Sequence, residues 1–522
     1  MRKYLVIFAV LLIFPLSAHA QWFRAESDHF VVYSEGSEES LRSFATELEK
    51  FDRGVRRLRH LPDPEPGTNR VTVYLMTPGL FREIRSSRSV GGFYRTNPYG
   101  SVAFLPTAGT GLPPQATLFH EYTHHIYSVA WSNIAFPGWL GEGLAEFHAS
   151  AEFRNDGSMV FGREPSYRTG SLRYLTNDQI RAMLTNDTEE SGVAIYYTGG
   201  WLLTHYLTFA PEREGQLMQY IVALNSAQSL EEAARTAFGD TQRFGSDLAR
   251  YRRGTSLPAV VVPASDLEIG DITIRPLTSG ELATIGAAIR SQSGVGAEEA
   301  ASIYAAVKPI AESYPDDAGA QRVFAEAAYD VGEYGDVIAA ADRAIAADPT
   351  MGIAYAYKAR AMMNAPDSYA DIDDATWIEI RRVIITGLNK EPKNAELLWL
   401  YYRSFAEAGT APPPLAVRRL YQAFGIQPQF APMRLAAAHQ LLVDGNGDEA
   451  RALLRPLAFS VHRSSTTDRA RAIVDAIDAG DLAKALQISE SKGDEEEEGS
   501  DEPGDDNSIL PLAAPGLNAV AN

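Results

Sequence analysis

Residues 118–147 read LFHEYTHHIYSVAWSNIAFPGWLGEGLAEF, and the rest of the chain is organised around this stretch. It contains His120, Glu121 and His124 in the spacing H-E-x-x-H. Residues four apart lie on the same face of an α-helix, so both imidazoles can bind one metal ion while Glu121 projects beside it. A catalytic zinc site takes about three protein ligands and leaves one position for water. We therefore expect a third ligand nearby.

The second half of this stretch offers a candidate for that ligand. Glu142 and Glu146 lie about one helical turn apart in the sequence G-E-G-L-A-E-F. Before them, Pro137 and Gly138 interrupt the helical pattern. The chain can therefore fold back at this point and bring Glu142 to the metal.

The two motifs together resemble those of the gluzincin zinc metallopeptidases, and more closely those of the peptidase MA-like domains. In these domains H-E-x-x-H is followed by W-x-x-E-G-L-A-E, which Trp139 and residues 142–146 match. The metzincin pattern does not fit, because it requires Gly and His where this chain has Tyr127 and Ala130. The resemblance covers roughly residues 22–255.

The same resemblance implies a role for each motif residue. His120, His124 and Glu142 are expected to bind Zn²⁺, and Glu146 is expected to orient His120 by accepting a hydrogen bond from its other ring nitrogen. Glu121 is expected to act as the general base that takes a proton from water. The predicted activity is that of a gluzincin-like endopeptidase or aminopeptidase.

A second candidate catalytic region is AIYYTGGWLLTHYL, residues 194–207. Peptidase MA-like domains often carry a tyrosine here, at the start of a helix that packs beside the site. Tyr197 is the best match and is the predicted catalytic donor, while Tyr196 is its local rival. A purely packing role for Tyr197 remains open.

Four further histidines are interpreted as structural. His125 points about a quarter-turn away from His124 on a helix, which favours packing in the core or at the surface. His29, His148 and His205 are single histidines in apolar stretches.

The amino terminus predicts export. Arg2 and Lys3 precede an apolar stretch at residues 4–14, and Ala18-His19-Ala20 is a small-x-small cleavage site, so residues 1–20 are predicted to be a signal peptide. No other stretch is long and apolar enough to span a bilayer. The chain has no cysteine, which excludes disulfides and thiolate zinc sites. We expect a periplasmic protein of a Gram-negative bacterium.

The net charge of −20 argues against nucleic acid or an anionic membrane as a partner. Part of this charge is local, because GDEEEEGSDEPGDDN at residues 493–507 contains no apolar residue. Such a segment cannot bury enough surface to fold, so residues 489–522 are predicted to be a disordered acidic tail.

The elements before the metal motif predict a small sheet. Residues 22–34 are predicted to be one opening strand, residues 38–60 an amphipathic helix and residues 71–76 a strand. Two more strands are predicted at 91–95 and 101–105. In gluzincins, an edge strand of such a sheet lies above the metal and pairs with an extended substrate. After Phe147 the pattern predicts helices as far as about residue 253.

The second half of the chain predicts helical repeats. Residues 285–488 are rich in alanine, and Pro315 and Pro349 are separated by 34 residues, the period of the tetratricopeptide repeat (TPR). Residues 318–349 fit that repeat without a gap, and the whole region predicts roughly four to five helical hairpins.

The predicted fold class is an α+β zincin-type metallopeptidase domain followed by an all-α helical-repeat (TPR-like) array. The domain boundaries are 21–255 for the peptidase-like domain, 256–284 for a linker or small β segment and 285–488 for the array. Pro258 and Pro263 interrupt the helical pattern, so we expect few contacts across this boundary and independent folding of residues 22–260.

Two other functions stay open. One is a non-enzymatic TPR scaffold with a relic metal-binding domain, although the presence of every ligand and the base weighs against a relic. The other is that of a periplasmic protease that controls outer-membrane quality; the layout agrees with it, as an analogy of role and not of ancestry. In each case the array is expected to bind a protein partner, or to recruit a protein or peptide substrate.

Overall fold

The computed structural model describes residues 21–85, 91–108, 113–167, 175–186, 193–226, 228–253, 257–366, 368–460 and 464–490. The predicted signal peptide and all of the predicted acidic tail beyond residue 490 lie outside these ranges. Within them, no helix combines the length and the apolar character needed to cross a membrane.

The chain contains two small sheets and many helices. The strands are β1 Trp22–Glu26, β2 Phe30–Glu35, β3 Val71–Met76, β4 Phe93–Asn97, β5 Gly100–Pro106, β6 Glu152–Phe153, β7 Met159–Phe161, β8 Val260–Val262 and β9 Thr273–Pro276. Six of them form a mixed sheet in the order β4-β5-β3-β2-β1-β9, and β6, β7 and β8 form a three-stranded sheet.

Nine α-helices lie before residue 260 and twelve after it among the described residues. The first set is α1 Glu38–Arg59, α2 Pro78–Ile84, α3 Pro114–Ala130, α4 Gly138–Ala149, α5 Asn177–Thr185, α6 Val193–Phe209, α7 Gln216–Asn225, α8 Leu230–Phe238 and α9 Thr241–Arg252. The second set is α10 Ser279–Ser293, α11 Ala297–Ser313, α12 Ala318–Asp330, α13 Tyr334–Ala347, α14 Gly352–Asn364, α15 Asp374–Lys390, α16 Ala395–Ala406, α17 Pro414–Ile426, α18 Ala431–Val443, α19 Gly447–Ala458, α20 Ser465–Asp478 and α21 Leu482–Glu490.

The single opening strand expected at 22–34 is wrong, because β1 and β2 are two antiparallel strands. The turn between them is held by the amide of Ser27, which donates to the carbonyl of Phe30, and by the amide of His29, which donates to Glu49 Oε1. These polar contacts outweigh the apolar pattern that runs through both strands. The helix predicted at 38–60 and the strand at 71–76 are confirmed, and β4 and β5 lie within two residues of their predicted positions.

The apolar face of α1 packs between the large sheet and the metal-motif helix α3. Its buried apolar residues recur every three or four positions, at Leu41, Ala45, Leu48, Phe51 and Val55. The rings of Phe51 and Phe119 stack with centroids 3.8 Å apart and planes inclined by 2°. Helix α3 is therefore seated on the core through the residue just before His120.

The continuous helical region expected from Phe147 to about 253 is also wrong, because the strands β6 and β7 interrupt it. They are joined by residues 154–158, in which Asp156 accepts hydrogen bonds from the amide and hydroxyl of Ser158. Gly157 has a φ of 81°, which glycine adopts without a steric penalty. An aspartate that accepts from the backbone and a glycine with positive φ are typical of the turn in a β-hairpin.

Helices α10 to α21 form an array in which consecutive helices pack against each other. Residues 318–349, which fit the repeat pattern best, form the pair α12 and α13. The array contains twelve helices among the described residues, more than the four to five predicted hairpins require. Two of them, α10 and α11, precede residue 318, where the recognisable repeat begins.

The expectation of few contacts between the two halves of the chain is wrong. Strand β9 pairs with β1 and so completes the large sheet from beyond residue 260. Tyr74 donates a hydrogen bond to Gln292 at 3.0 Å, and Tyr99 donates one to Glu326 at 3.2 Å. Farther along the array, the side-chain amide of Gln429 donates to Asn69 at 2.7 Å. The array thus returns to the sheet at several points, and residues 22–260 alone would leave these groups without partners.

Glycines govern the packing of α4 against α6. A side chain at Gly143 would overlap the backbone of Gly200, and one at Gly200 would overlap the carbonyl of Trp139. Gly143 directly follows Glu142, the predicted third ligand, so this close approach fixes the place of that carboxylate.

We predict that Gly143→Ala lowers the free energy of unfolding by about 2 kcal/mol or more, because the neighbouring backbone cannot yield. Gly141→Ala on the same helix is the matched control, since a Cβ there meets nothing within 4 Å. That control is expected to be neutral or to stabilise by about 0.5–1 kcal/mol. Urea unfolding of both variants measures the difference, and equal stabilities would contradict the packing argument.

Candidate metal centre

The candidate centre lies between α3 and α4. The turn at 131–137 joins these helices, and the side chain of Asn225 holds it in place. Asn225 Oδ1 accepts from the amide of Ala135 at 2.9 Å, and its Nδ2 donates to the carbonyl of Ala135 at 3.0 Å. Pro137 then precedes the first turn of α4 with an extended backbone. The fold-back predicted from Pro137 and Gly138 is therefore present, although the residue that secures it is remote in sequence.

Three predicted ligands converge at this place. The Nε2 atoms of His120 and His124 are 3.3 Å apart, and Glu142 lies 3.1 Å from the first and 3.5 Å from the second. Their ligand atoms all lie within 4.8 Å of one another, the only such group of three found among the described residues. A set of two imidazoles and one carboxylate suits zinc, and it leaves room for a further ligand.

Glu146 stands behind this group. Its Oε1 atom is 3.3 Å from Nδ1 of His120, so His120 lies between two carboxylates of α4. Burial opposes a charge on His120, but hydrogen bonds to Glu142 and Glu146 outweigh it and raise the pKa of His120 to about 10. In this arrangement one positive charge offsets only part of the charge on two buried carboxylates, and a metal cation at the centre would take the place of the proton.

The centre is open on one side only. His120, Glu142 and Glu146 are each no more than 3% exposed, whereas the side chain of His124 is 36% exposed. It faces a cavity of about 430 Å³ that is also lined by Glu121. The predicted general base, Glu121, and the more exposed predicted ligand, His124, thus share one solvent-reachable space.

The structure separates the two tyrosines that the sequence left as rivals. Tyr196 is 1% exposed and packs in the main apolar core. Tyr197 lines the cavity, and its ring centroid is 5.7 Å from that of His120. Of the two, Tyr197 is therefore the one with access to a bound molecule.

His125, which directly follows His124, also lines the cavity, but its ring is held by other partners. It shares a hydrogen bond of 2.9 Å with the hydroxyl of Tyr94 and stacks on Tyr122 at 5.4 Å. Burial and the nearby Arg56 lower the pKa of His125 to about 3, so the ring is neutral. Since Tyr94 belongs to β4, an edge strand of the sheet, this bond ties that strand to the metal-motif helix.

The remaining predicted structural histidines are also built into the fold. His29 binds Glu49 at 2.7 Å, and Arg59 donates to His148 at 3.2 Å. His205 lies within 3.0 Å of the carbonyls of Gly162 and Pro258 through Nε2 and shares a bond with Tyr251 through Nδ1. Each of these histidines has partners that explain its position.

Residues of the helical array also line the cavity, and no pattern in the sequence indicated them. They come from the turn before α18, from α18 itself and from the end of α19 onward: Pro428, Gln429, Arg434, Pro456, Leu457, Phe459, Ser460, Ser464 and Thr467. Two residues of the edge strand, Tyr94 and Thr96, also line it. Because the array residues lie some 300 positions from the metal motif, no local spacing could have linked them to it.

Arg434 holds the array against the metal hairpin, which consists of α3, the turn at 131–137 and α4. Its Nη1 atom donates to the carbonyls of Ser132 and Leu453, both at 2.7 Å, and its Nη2 atom donates to the carbonyl of Pro428 at 2.7 Å. Burial lowers the pKa of Arg434 to about 10, which still leaves it charged at neutral pH. One guanidinium therefore joins the turn between the metal helices to two segments of the array.

Comparison with known proteins adds little to these observations. No protein-family model matches the chain, and no curated protein is significantly similar to it in sequence. Among solved structures, the chain is similar to a thermophilic TPR protein of Thermus thermophilus, with 18% identity and a TM-score of 0.29. The match covers 40% of this chain and 96% of that one. At this score the likeness carries no argument about function.

We predict that Asn225→Ala lowers the free energy of unfolding by about 1–3 kcal/mol, because it leaves the amide and carbonyl of Ala135 without their partner. Ser226→Ala is the control, since the exposed Ser226 bonds only within its own helix and should change stability by less than about 0.5 kcal/mol. Faster amide hydrogen exchange at Ala135 should accompany the loss. Unchanged exchange there would mean that Asn225 does not secure the turn.

Proposed function

We propose that the protein is an exported, zinc-dependent metallopeptidase that hydrolyses peptide bonds. The observation that carries the proposal is the convergence of His120, His124 and Glu142 at the wall of an open cavity that also contains Glu121. The donor types fit zinc, and the carboxylate of Glu146 beside His120 is the outer-shell partner that such an imidazole ligand usually has.

His120, His124 and Glu142 would hold the ion, with Glu146 orienting His120. Zinc, when bound, supplies a Lewis acid and lowers the pKa of a coordinated water toward neutrality. Glu146 would keep the Nδ1 proton of His120 in place, so that Nε2 is the atom offered to the metal. These four side chains come from two adjacent helices whose packing leaves little freedom to rearrange.

Glu121 would move the proton. Its side chain lines the cavity beside the ligands, where it can take a proton from the attacking water and return it to the leaving amine. Tyr197, on the same cavity, would donate a hydrogen bond to the oxyanion that develops on the substrate carbonyl.

The substrate would lie in extended form against β4. This strand ends the large sheet, and its residues Tyr94 and Thr96 line the cavity. Addition of a peptide to a sheet edge uses main-chain hydrogen bonds and so tolerates many sequences. Selectivity would then have to come from the pockets around the metal.

The alternative is a non-enzymatic helical-repeat scaffold in which the metal domain is a relic. What favours it is the size of the helical array, which contributes twelve helices to the described part of the chain. Recruitment of a protein partner by the array remains a prediction under either function. The two functions differ in one requirement, since only the enzyme needs the carboxylate of Glu121.

We predict that the purified mature protein binds about one zinc ion per chain. His120→Ala and Glu142→Ala should abolish tight binding, because each removes one of about three protein ligands. His439→Ala in the array is the control and should keep full occupancy. Metal analysis after dialysis measures the result, and full occupancy in Glu142→Ala would show that the third ligand is wrongly assigned.

We predict that Glu121→Gln retains zinc and folds normally but loses hydrolysis by about a hundredfold or more, because the amide keeps the shape of the side chain and loses its basicity. Glu164→Gln, at an exposed carboxylate elsewhere on the surface, is the control and should cleave like the wild type. Digestion of a peptide library by the three proteins gives the comparison. Equal cleavage by Glu121→Gln and wild type would point to the scaffold or to a contaminating protease.

A further inference from the structure

The lining of the cavity at the metal centre contains two chemically different groups of residues. One group consists of His120, Glu121, His124 and Tyr197, which the proposed function uses. The other group, called the apolar half below, comes from two distant parts of the chain: Trp131, Ile134, Phe136, Pro456, Leu457 and Phe459. Five hydroxyl side chains line the cavity as well: Ser128, Ser132, Ser460, Ser464 and Thr467. The proposed chemistry makes no use of the apolar half.

The metal hairpin contributes a cluster of three aromatic rings, Tyr127, Trp131 and Phe136, which is called the aromatic shelf below. Trp131 stacks on Phe136 with centroids 5.8 Å apart and planes inclined by 29°. Tyr127 lies against both rings, at 5.4 Å from Trp131 and 5.8 Å from Phe136. Because the shelf belongs to the end of α3 and the turn that follows, it is continuous with the helix that carries the ligands.

The array contributes the opposite side. Leu457 and Phe459 lie at the end of α19, and Phe459 packs against both the core of the metal domain and the core of the array. The guanidinium of Arg455 lies 5.0 Å from the ring of Phe459 and donates to the carbonyl of Leu224 at 2.7 Å. The hydrogen bonds of Arg455 and Arg434 together fix this side of the cavity to the metal domain.

We propose that this apolar half is a selectivity subsite that accepts a large apolar side chain next to the bond to be cleaved, so that the helical array itself chooses the substrate. The inference deepens the proposed function and rests on it. A peptide that lies along β4 directs alternate side chains to opposite faces, so one of them can enter a pocket beside the metal.

The apolar lining also decides against other occupants. A charged side chain placed among Trp131, Phe136 and Phe459 would lose its hydration without gaining a partner of opposite charge. Arg434 also lines the cavity and could pair with an acidic side chain, but its guanidinium already donates to three carbonyls. A protein partner bound over the cavity would block access to the metal centre. A substrate side chain would instead occupy the apolar half while the bond to be cleaved lies at the metal.

The test uses the full-length, zinc-loaded protein and two quenched fluorogenic peptides. Each is a nine-residue alanine peptide with a lysine at either end, and one has phenylalanine at its centre. Phe459→Ala enlarges the subsite, Leu457→Trp fills it, and Val443→Ala is the control because Val443 is 54% exposed on the array and does not line the cavity. Zinc content is measured for every protein.

We expect the wild type to favour the phenylalanine peptide by about tenfold or more in kcat/KM, the range that apolar pockets commonly supply. Phe459→Ala and Leu457→Trp should each reduce this ratio at least about fivefold with zinc content unchanged, while Val443→Ala keeps it. No preference in the wild type, or an unchanged ratio in both variants, would overturn the subsite.

A wild type that holds zinc but cleaves neither peptide would separate the two proposals. Calorimetric binding of the same peptides then decides. Tighter binding of the phenylalanine peptide, lost in Leu457→Trp and kept in Val443→Ala, would support the subsite while hydrolysis fails. Equal binding of both peptides, or no binding, would overturn the subsite as well.

Discussion

The packing of α3 against α4 depends on one buried interaction, in which the imidazole of His120 lies between the carboxylates of Glu142 and Glu146. Both carboxylates come from α4 and are 2% exposed, so they need positive charge at short range. That requirement brings α3 and α4 together at a fixed register. Two further contacts fix the positions of Glu142 and Glu146. One is the close approach of glycines between α4 and α6, and the other is the pair of hydrogen bonds from Asn225 to the connecting turn. The same requirement makes the place suitable for a divalent cation.

The helical array belongs to the same structure. A repeat array is often pictured as an appended module whose contacts are mainly with its own neighbours. Here β9 returns to the large sheet before the array begins, and Gln292, Glu326 and Gln429 bond to the sheet along its length. Arg434 and Arg455 then fix its far end beside the metal hairpin. The array therefore shapes the cavity, and loss of the array would remove one of its sides.

The sequence predicted those parts of the fold that depend on local spacing. His120 and His124 share a face because they are four residues apart, and the stripe on α1 and the strand at 71–76 follow their own periodicities. Glu142 needed the resemblance to a known motif, because a carboxylate 18 residues after His124 has no local signature. The placement of the three side chains in one group agrees with that prediction, while their role in catalysis stays a prediction.

What the sequence could not predict depends on contacts between distant residues. Periodicity tells which face of a helix is buried but not what covers it, so nothing linked Arg434 to Ser132 or Phe459 to the metal hairpin. The break between β1 and β2 depends on the reach of Glu49 to the amide of His29, which an apolar pattern does not encode. The sequence also gives no sign that Asn225 binds Ala135, since an asparagine at a helix end is usually interpreted as a helix cap.

The most direct test of the central claim is the X-ray absorption spectrum of the zinc-loaded, full-length protein at the zinc edge. We expect about four nitrogen or oxygen ligands near 2.0–2.1 Å, no sulfur, and outer-shell scattering from two imidazoles. In His120→Ala the bound zinc should be lost, and with it this imidazole scattering. A six-coordinate shell of oxygen atoms, or imidazole scattering unchanged in His120→Ala, would contradict a metal centre built from His120, His124 and Glu142.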